Sequence, residues 1–522
     1  MAGAFTLPAD YWSKIQITRQ DVDSLQAYLF ELETPMTAHD LASVFVSQRL
    51  KAEQEARTRQ REAAGRVYVP KDNHEVGEDL VFPALDWRRG HVTAKRPAVN
   101  PELSSFDVVT VDMQDGPQLM FASGLAEHLL NSESLTTPEQ EGANVDAIIE
   151  DVGDAIERKL QAAFSEEGSG LVEIAGRWFP RGLLVDVSEG QLNLAEAVLD
   201  VAQGEPSPAA ALLKDVELPT NINPKLAEFS LNYALQFDPR FDEVGPAGQV
   251  LWCLRRLEPE GVRDVPSFLR YAEMPYDRNV LNDAMLKLEA QLDDELSPPE
   301  LTEYKDVKEV TISLIYPHLR AGTLPLSQRT RSLFPTAYES PRVRFTLVDA
   351  RSAIKMPAWV VREHGYVFGL REWYKSHALI PGSLVSVRRG QKPGEVIVEA
   401  RTQRASKDWI RTLIVGADGG LVFAMLKQPI TAEFNDRMAI YVPDFHALDP
   451  VWERKRPFDE LVVTVMREVT KVNPQGHVHA QELYAAVNLV RRVPPGPLFA
   501  LLASQPRFRH VGDLHFRLEE GA

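Results

Sequence analysis

The sequence predicts a multidomain α+β protein in which helix-turn-helix modules closed by a β-hairpin alternate with small β-barrel domains. Three observations support this class. The chain has 522 residues, enough for roughly three or four domains. Apolar residues at helical spacing alternate along the chain with short β-branched runs bounded by Gly, Pro and Asn. One local pattern, a strand, a glycine turn and a return strand with a central aromatic, recurs along the chain.

The beginning of the chain is predicted to hold an N-terminal helical domain over 1–64 and a small β-barrel over 65–130. Thr18 and Thr37 are expected to cap two successive helices that carry apolar residues at helical spacing. From Gly65 onward the pattern changes to short β-branched and aromatic runs with tight turns, which is typical of a small barrel.

The recurring hairpin pattern is clearest at 507–518, where Gly512 supplies the permissive backbone of a tight turn. A second copy spans 240–254 with Trp252 as its central aromatic, and a fainter third lies at 171–179. Because side chains alternate along a strand, the central aromatic of each return strand is expected to face the preceding helices. Trp252 is therefore expected to be buried.

Three predicted helices, 458–469, 479–489 and 497–503, precede the last hairpin, and together they make a winged helix expected to fold by itself. This unit resembles the HARE-type winged helix, and the resemblance lies in the segments 483–487 and 494–497 and in the closing hairpin. That family is found fused to restriction endonucleases, in chromatin regulators and as the folded domain of the RNA polymerase delta subunit. The resemblance covers about 65 residues, with a looser copy near 193–256, and implies a DNA- or transcription-associated module.

The rest of the chain divides by the same reasoning. The expected parts are a winged-helix-like region with two hairpins over 145–260, a helical segment and linker over 261–335, a basic β-barrel over 336–450 and the C-terminal winged helix over 451–522.

Charge is distributed unevenly along this chain, whose net charge is −18. Residues 146–309 hold 33 acidic and 15 basic residues, whereas residues 331–411 hold 15 basic and 7 acidic residues. Such asymmetry indicates two different binding faces. The single cysteine, Cys253, favours a reducing compartment, and neither a signal peptide nor a membrane-spanning segment is recognisable, so a cytoplasmic location is expected.

Motifs of catalysis and cofactor binding are not recognisable in the sequence, which has neither a phosphate-binding glycine loop nor a nucleophile elbow. We therefore expect a protein that is not an enzyme and holds no cofactor or metal. The cluster of His477, His479 and Glu482 could ligate a metal, but it is interpreted as a helix N-terminus with a favourable first-turn carboxylate.

Basic residues interleaved with aromatics favour nucleic-acid binding, because cations neutralise phosphates and aromatic faces stack on bases. Trp409 is one of the aromatics among these cations. The residues predicted to contact nucleic acid are Arg362, Arg371, Trp373, Lys375, Arg388, Arg389, Lys392, Arg404, Lys407, Arg411, Arg491, Arg492 and Arg509.

Two hypotheses remain open at this point. In the first, the protein is a non-catalytic nucleic-acid-binding protein, with DNA as the expected partner, that uses winged helices and a basic β-barrel. In the second, it is a protein-interaction scaffold or RNA polymerase-associated factor without direct DNA contact. The second is favoured by the overall acidity, by a wing at Gly512-Asp513 that is shorter than the family usually has, and by the carboxylates Asp238, Asp242 and Glu243 at the middle hairpin.

Overall fold

The computed structural model shows a mixed α+β, multidomain chain with several sheets and a half-barrel. The structure describes residues 11–62, 66–85, 87–100, 105–114, 116–131, 145–219, 222–298, 307–337, 340–392, 394–454 and 456–519. The chain divides into two compact units, one of residues 1–185 with 223–229 and one of residues 186–222 with 230–522. Among the described residues, no helix combines the length and the apolar character that crossing a bilayer requires.

The first unit opens with α1 (Tyr11–Lys14), α2 (Arg19–Leu32), β1 (Met36–Thr37) and α3 (Ala38–Glu62). The expected helix caps are confirmed. The hydroxyl of Thr18 accepts the backbone N–H of Asp21, and the hydroxyl of Thr37 accepts that of Asp40. Each cap satisfies one of the backbone donors that a helix N-terminus leaves unpaired.

A five-stranded sheet follows, made of β2 (Arg66–Val67), β3 (Asp79–Phe82), β4 (Arg88–Pro97), β5 (Asp107–Met113) and β6 (Leu119–Ser123). The strands lie side by side in chain order, with β2 and β3 parallel and the other pairs antiparallel. This is the stretch predicted as a small barrel. Within the described residues, however, β2 and β6 form the two edges of an open sheet.

The chain then returns to the first helices through α4 (Val145–Phe164), β7 (Leu171–Ile174) and β8 (Arg177–Pro180). Leu25 of α2, Phe45 of α3, Ile156 of α4 and Trp178 of β8 share one buried core. The structure therefore differs from the predicted division, because α4 covers the apolar faces of α2 and α3 that a separate domain ending at residue 64 would leave in water.

A middle set of elements comprises α5 (Glu189–Val201), α6 (Ala209–Leu212), α7 (Pro224–Gln236), β9 (Phe241–Glu243) and β10 (Trp252–Leu254). Ser207, between α5 and α6, forms an antiparallel bridge with Trp252. The prediction that Trp252 is buried is confirmed, since the side chain is 1% exposed. Its indole N–H donates to Asn232 Oδ1 at 2.7 Å.

The second unit is dominated by a seven-stranded sheet. Its strands, in spatial order, are β11 (Glu309–Ser313), β16 (Leu384–Arg389), β17 (Glu395–Ala400), β13 (Arg342–Asp349), β14 (Lys355–Val361), β15 (Tyr366–Phe368) and β12 (Thr323–Pro325). The helices that precede its strands or lie between them in the chain are α8 (Glu260–Arg263), α9 (Asp283–Leu292), α10 (Tyr316–Ala321) and α11 (Arg371–Ser376). The edge strands β11 and β12 lie in the stretch predicted as helix and linker. Both strands are short, and they form because they pair with β16 and β15, although their local sequence does not favour a strand.

Two long strands, β18 (Thr402–Val415) and β19 (Leu421–Ala432), form a hairpin that continues directly from the large sheet. The ladder has an irregularity between Thr402 and Ser406, and from Ser406 onward it is regular as far as the turn. Tyr441 adds a parallel bridge to Thr412, so part of the outer edge of β18 is covered. A short helix, α12 (Asp449–Glu453), leads into the last set of elements.

That last set consists of α13 (Phe458–Lys471), β20 (Val478–His479), α14 (Ala480–Val487), α15 (Pro495–Ser504), β21 (Phe508–Gly512) and β22 (His515–Leu518). Its helices share a large core with residues far upstream, among them Met285 of α9 and Phe423 of β19. Much of the apolar surface of 451–522 is therefore covered by other parts of the second unit.

One plan recurs in these three sets, which we name the N-terminal module (α2, β1, α3, α4, β7, β8), the middle module (α5, Ser207, α6, α7, β9, β10) and the C-terminal module (α13, β20, α14, α15, β21, β22). In each, a short segment after the first helix pairs with the second strand of the closing hairpin. The pairs are Met36 with Trp178, Ser207 with Trp252 and Val478 with Phe516. The central aromatics of the sequence pattern therefore occupy equivalent positions.

The turns of the first and last hairpins are alike in conformation. Ala175 and Gly176 have φ values of 52° and 72°, and Asp513 and Leu514 have 43° and 58°. Two consecutive left-handed residues are characteristic of the tight loop that matches the twist of paired strands. Gly512 pairs with His515 directly beside this loop, and its φ of 114° shows that the hairpin uses the permissive backbone predicted for it.

Two of the three carboxylates that the sequence interpretation assigned to the middle hairpin as an acidic feature, Asp242 and Glu243, are buried, and Asp242 lies beside the buried Glu258. The Arg342 guanidinium lies 3.2 Å from Asp242 and 2.9 Å from Glu258, and both carboxylates are buried. Burial, followed by the neighbouring Asp242 charge, raises the pKa of Glu258 to about 8. Asp242 and Glu243 are therefore parts of the interior, and they do not form an acidic surface that would repel a polyanion.

This arrangement predicts an unusual pH dependence of stability. Since the pKa of Glu258 is higher in the folded than in the unfolded chain, the folded state holds the extra proton between the two values. The free energy of unfolding should therefore fall as pH rises from about 4.5 to about 8. We expect Glu258→Gln to remove this decline, as measured by urea unfolding of the full chain across that range. The exposed Glu363→Gln is the control, and parallel pH profiles for wild type and Glu258→Gln would contradict the assignment.

Candidate nucleic-acid interface

The predicted contact residues separate into exposed and enclosed groups. The exposed ones are Arg371, Lys375, Arg388, Arg389, Lys392, Arg404, Lys407 and Arg509. Some of these already have partners: Lys375 pairs with Glu372, and Arg509 with Glu519. The sequence therefore predicted these eight surface residues correctly, and the other predicted residues are partly or fully enclosed by the protein.

Two predicted contact residues, Trp373 and Arg492, are buried and therefore cannot contact nucleic acid. Trp373 is 4% exposed and belongs to the core of the large sheet. The side chain of Arg492 is fully buried and pairs with Asp294 at 2.5 Å and Glu295 at 2.7 Å. These two carboxylates raise the pKa of Arg492 against the opposing effect of burial, so the guanidinium stays charged where no phosphate can reach it.

Three further arginines are held by the protein itself. Arg362 donates to the backbone carbonyls of Phe334 and Pro335, and burial lowers its pKa. Arg491 donates to the carbonyl of residue 456 and lies 5.9 Å from the centre of the Phe458 ring. Arg411 pairs with Glu482 at 2.9 Å and is 13% exposed. Each of these contacts would have to be exchanged for a phosphate contact.

The exposed cations of the large sheet form two separate groups. Arg388, Arg389 and Lys392 surround the turn between β16 and β17, whereas Arg404 and Lys407 lie on β18. Strands β16 and β17 separate the groups by about 20 Å, at ~3.3 Å per residue. Arg388 and Arg404 therefore belong to separate groups of predicted contact residues, and the exposed Arg401 lies between the two groups in the chain.

The second group contains the aromatic that the first lacks. Lys407, Trp409 and Arg411 alternate along one face of β18, and their cross-strand partners on β19 are Pro429, Lys427 and Met425. We call these six residues the ribbon face. Its central residue, Trp409, is 63% exposed, and the Lys427 ammonium lies 5.4 Å from the ring centre. Trp409 is more exposed than is usual for tryptophan, and the exposed side chain of Met425 extends the apolar surface on the same face.

The two faces of the hairpin differ in charge, because the ribbon face carries Lys407, Arg411 and Lys427 and the opposite face carries Asp408. Asp408 pairs across the ladder with Gln428 on the opposite face, and its carboxylate accepts hydrogen bonds from Ser406 and Gln403. Lys427 was missed by the sequence interpretation. Only the strand register shows that Lys427 stands beside Trp409, because the two residues are far apart in the chain and no local motif joins them.

A cavity of about 310 Å³ opens beside the ribbon face. Trp409, Arg411 and Met425 line one side, and residues of the C-terminal module line the other. These other residues include Val469, Val472, Asn473, Pro474 and Glu482. The cavity thus combines an aromatic wall, an aliphatic wall and the Arg411–Glu482 ion pair.

The third helices of the three modules are poorly suited to reading a DNA groove. In α15, residues 495–500 and Leu502 are buried. The exposed side of α4 carries Asp146, Glu150, Asp151 and Asp154. Helix α7 has a single cation, Lys225. A helix that docks in a groove needs exposed side chains and several cations that contact phosphates. On α4 the exposed Arg158 is outnumbered by exposed carboxylates, and α7 offers Lys225 alone.

The histidine cluster has the structure expected of a helix start. His479 is the N-cap residue of α14, its Nδ1 accepts the N–H of Gln481, and Glu482 lies in the first turn. Burial and the nearby Arg437 guanidinium lower the pKa of His479 to about 4, so the ring is neutral at physiological pH. Within the ranges that the structure describes, no three His, Cys, Asp or Glu side chains are grouped closely enough to hold a metal ion.

Comparisons of this chain with known protein-family models, with curated proteins and with solved structures find no match.

Proposed function

We propose that this protein binds DNA without catalysing a reaction, and that the ribbon face is its principal contact surface. The observation that carries the proposal is the exposure of Trp409 between Lys407 and Lys427 on a two-stranded ribbon. Aromatic faces stack on bases and lysines neutralise the adjoining phosphates. A β-ribbon is one of the elements that proteins place against nucleic acid.

In this proposal the three modules are winged helices, and the C-terminal one is of the HARE type. Their shared order of elements and the pairing of the short first strand with the second hairpin strand support the assignment. Because α15 is buried and α4 is acidic, the modules act mainly as a framework that holds the ribbon face, and they do not read a groove themselves.

A second function, a protein-interaction scaffold in the transcription machinery, is favoured by a different observation. The exposed acidic side of α4 suits a basic protein partner better than a phosphate backbone. The two functions are separable by experiment because they use different surfaces.

The first test is Trp409→Ala, for which we expect DNA affinity to fall about fivefold to 150-fold, since a stacked base is worth roughly 1–3 kcal/mol. Lys407→Glu with Lys427→Glu should weaken binding for every sequence. It should also reduce the dependence of log Kd on log salt by about 0.7 per lost contact on a single strand. Fluorescence anisotropy of labelled single-stranded and duplex DNA across salt concentrations gives both quantities.

Two controls make this test specific. Trp409→Phe retains a stacking face and should lose less affinity than Trp409→Ala, and Lys225→Glu changes an exposed cation outside the ribbon face. Wild-type protein that binds neither DNA form at low salt would exclude DNA binding. The scaffold function would then be tested with charge-neutralising variants of α4.

A further inference from the structure

We infer that the cavity beside Trp409 accepts one unpaired nucleobase, so that the ligand is a single strand and not a duplex. This inference rests on the proposed function and deepens it. The starting observation is that the cavity and the ribbon face share Trp409, Arg411 and Met425. A strand whose base stacks on Trp409 is therefore placed at the mouth of the cavity.

The size and shape of the cavity fit a single planar group. Its volume of about 310 Å³ is at the lower end of the range found for small-molecule sites. Trp409 supplies a flat wall, and Val469, Val472 and Pro474 supply an aliphatic wall. A paired base cannot enter such a space unless it leaves its stack, which costs a few kcal/mol in a duplex and little in a single strand.

The polar groups of the cavity indicate which bases it prefers. Glu482 pairs with Arg411 through Oε1 at 2.9 Å, and Arg411 also donates to the carbonyl of Asp436. A carboxylate beside a guanidinium offers an acceptor next to a donor. Cytosine, adenine and guanine present an exocyclic amino group next to a ring or carbonyl acceptor. The single donor of thymine, its ring N3–H, lies between two carbonyls, so a carbonyl oxygen would face the Glu482 carboxylate beside it. We therefore expect amino-bearing bases to be preferred over thymine.

The surrounding charge fits the phosphates on either side of such a base. Lys407 and Lys427 stand on the same face as Trp409, and both are exposed. Met425, 40% exposed, extends the apolar surface between them and the cavity. The occupant that uses all of these features is a short single strand with one base in the cavity and its phosphates on the two lysines.

The experiment compares oligodeoxycytidylate and oligothymidylate of about ten nucleotides, a matched duplex and free deoxycytidine monophosphate, all with the full chain. We expect the cytidylate strand to bind about fivefold to 150-fold more tightly than the thymidylate strand, and the duplex to bind more weakly than the cytidylate strand. Equal binding of free monophosphate and strand would overturn the single-strand assignment, because the flanking phosphates would then contribute nothing.

Two variants test the cavity without substituting a residue of the ribbon face. Because Glu482→Gln also releases Arg411 from its ion pair, the measured quantity is the ratio of the two strand affinities and not either affinity alone. Glu482→Gln should bring the cytidylate and thymidylate affinities together. Val472→Trp, which fills the cavity, should abolish the base preference while salt-dependent binding remains. Thermal melting of each variant shows whether it is folded. If one variant is misfolded, the base preference of the other variant tests the inference. If strands bind but neither variant changes the preference, or if the duplex binds as tightly as the strand, the cavity inference is overturned and DNA binding stands. If no DNA binds, the proposed function fails first.

Discussion

Asp294→Ala is expected to lower the free energy of unfolding of the second unit by about 3–5 kcal/mol, the usual cost of leaving a buried charge without its partner. The side chains of Asp294 and Arg492 are both fully buried and lie 2.5 Å apart. Asp294 also accepts the hydroxyl of Tyr484 at 2.5 Å, so its removal leaves two buried polar groups short of a partner. Urea unfolding followed by circular dichroism measures the effect as a shift of one transition.

The matched control is Glu363→Ala, an exposed carboxylate of the same unit, which should change stability by less than about 0.5 kcal/mol. Asp294→Asn retains an acceptor of the same shape and should fall between the two. If Asp294→Ala lowers the free energy of unfolding no more than the control does, the prediction is wrong, and water or Glu295 alone is a sufficient partner for the Arg492 charge.

A fragment of residues 451–522 is expected to lack a cooperative thermal transition, although the sequence pattern alone predicts that it folds. In the full chain, Phe499 of α15 lies in one core with Met285 of α9, Leu413 of β18 and Phe423 of β19. Cutting at residue 451 exposes this surface to water and leaves Arg492 without both of its carboxylates. The expected state has helical circular dichroism, weak side-chain signals in the near ultraviolet and strong binding of a hydrophobic dye.

The corresponding region of the intact protein is the control for this fragment. Hydrogen exchange should show α13 and α15 protected in the full chain and unprotected in the fragment. A fragment that melts sharply, with native-like amide dispersion in nuclear magnetic resonance spectra, would show that the C-terminal module is an independent domain.

The parts of the fold that the sequence predicted well are those determined by neighbouring residues. The hairpin pattern predicted the burial of Trp252 because alternation along one strand is enough to direct a side chain. The capping residues Thr18 and Thr37 were likewise recognisable from their own surroundings. The histidine cluster around His479 was correctly interpreted as a helix start for the same reason.

Long-range contacts determined what the sequence could not show. Arg492 beside Arg491 resembles a surface cation pair, and its burial depends on Asp294 and Glu295, which lie almost two hundred residues earlier in the chain. The position of Lys427 beside Trp409 depends on strand register. Charge counts over a stretch of sequence cannot separate cations paired inside the fold from those that remain at the surface.

The sheet placed between α3 and α4 has a consequence for how the protein is made. The N-terminal module cannot bury Phe45 until Ile156 has been synthesised, and at about 5–20 residues per second the ribosome takes several seconds to cover that interval. Each of the inserted strands β2 to β6 pairs with its neighbours in the chain. Their sheet can therefore form before α4 has been synthesised and has packed against α2 and α3. Once formed, it brings the two ends of the insertion closer together and lowers the entropy lost when α4 finally docks.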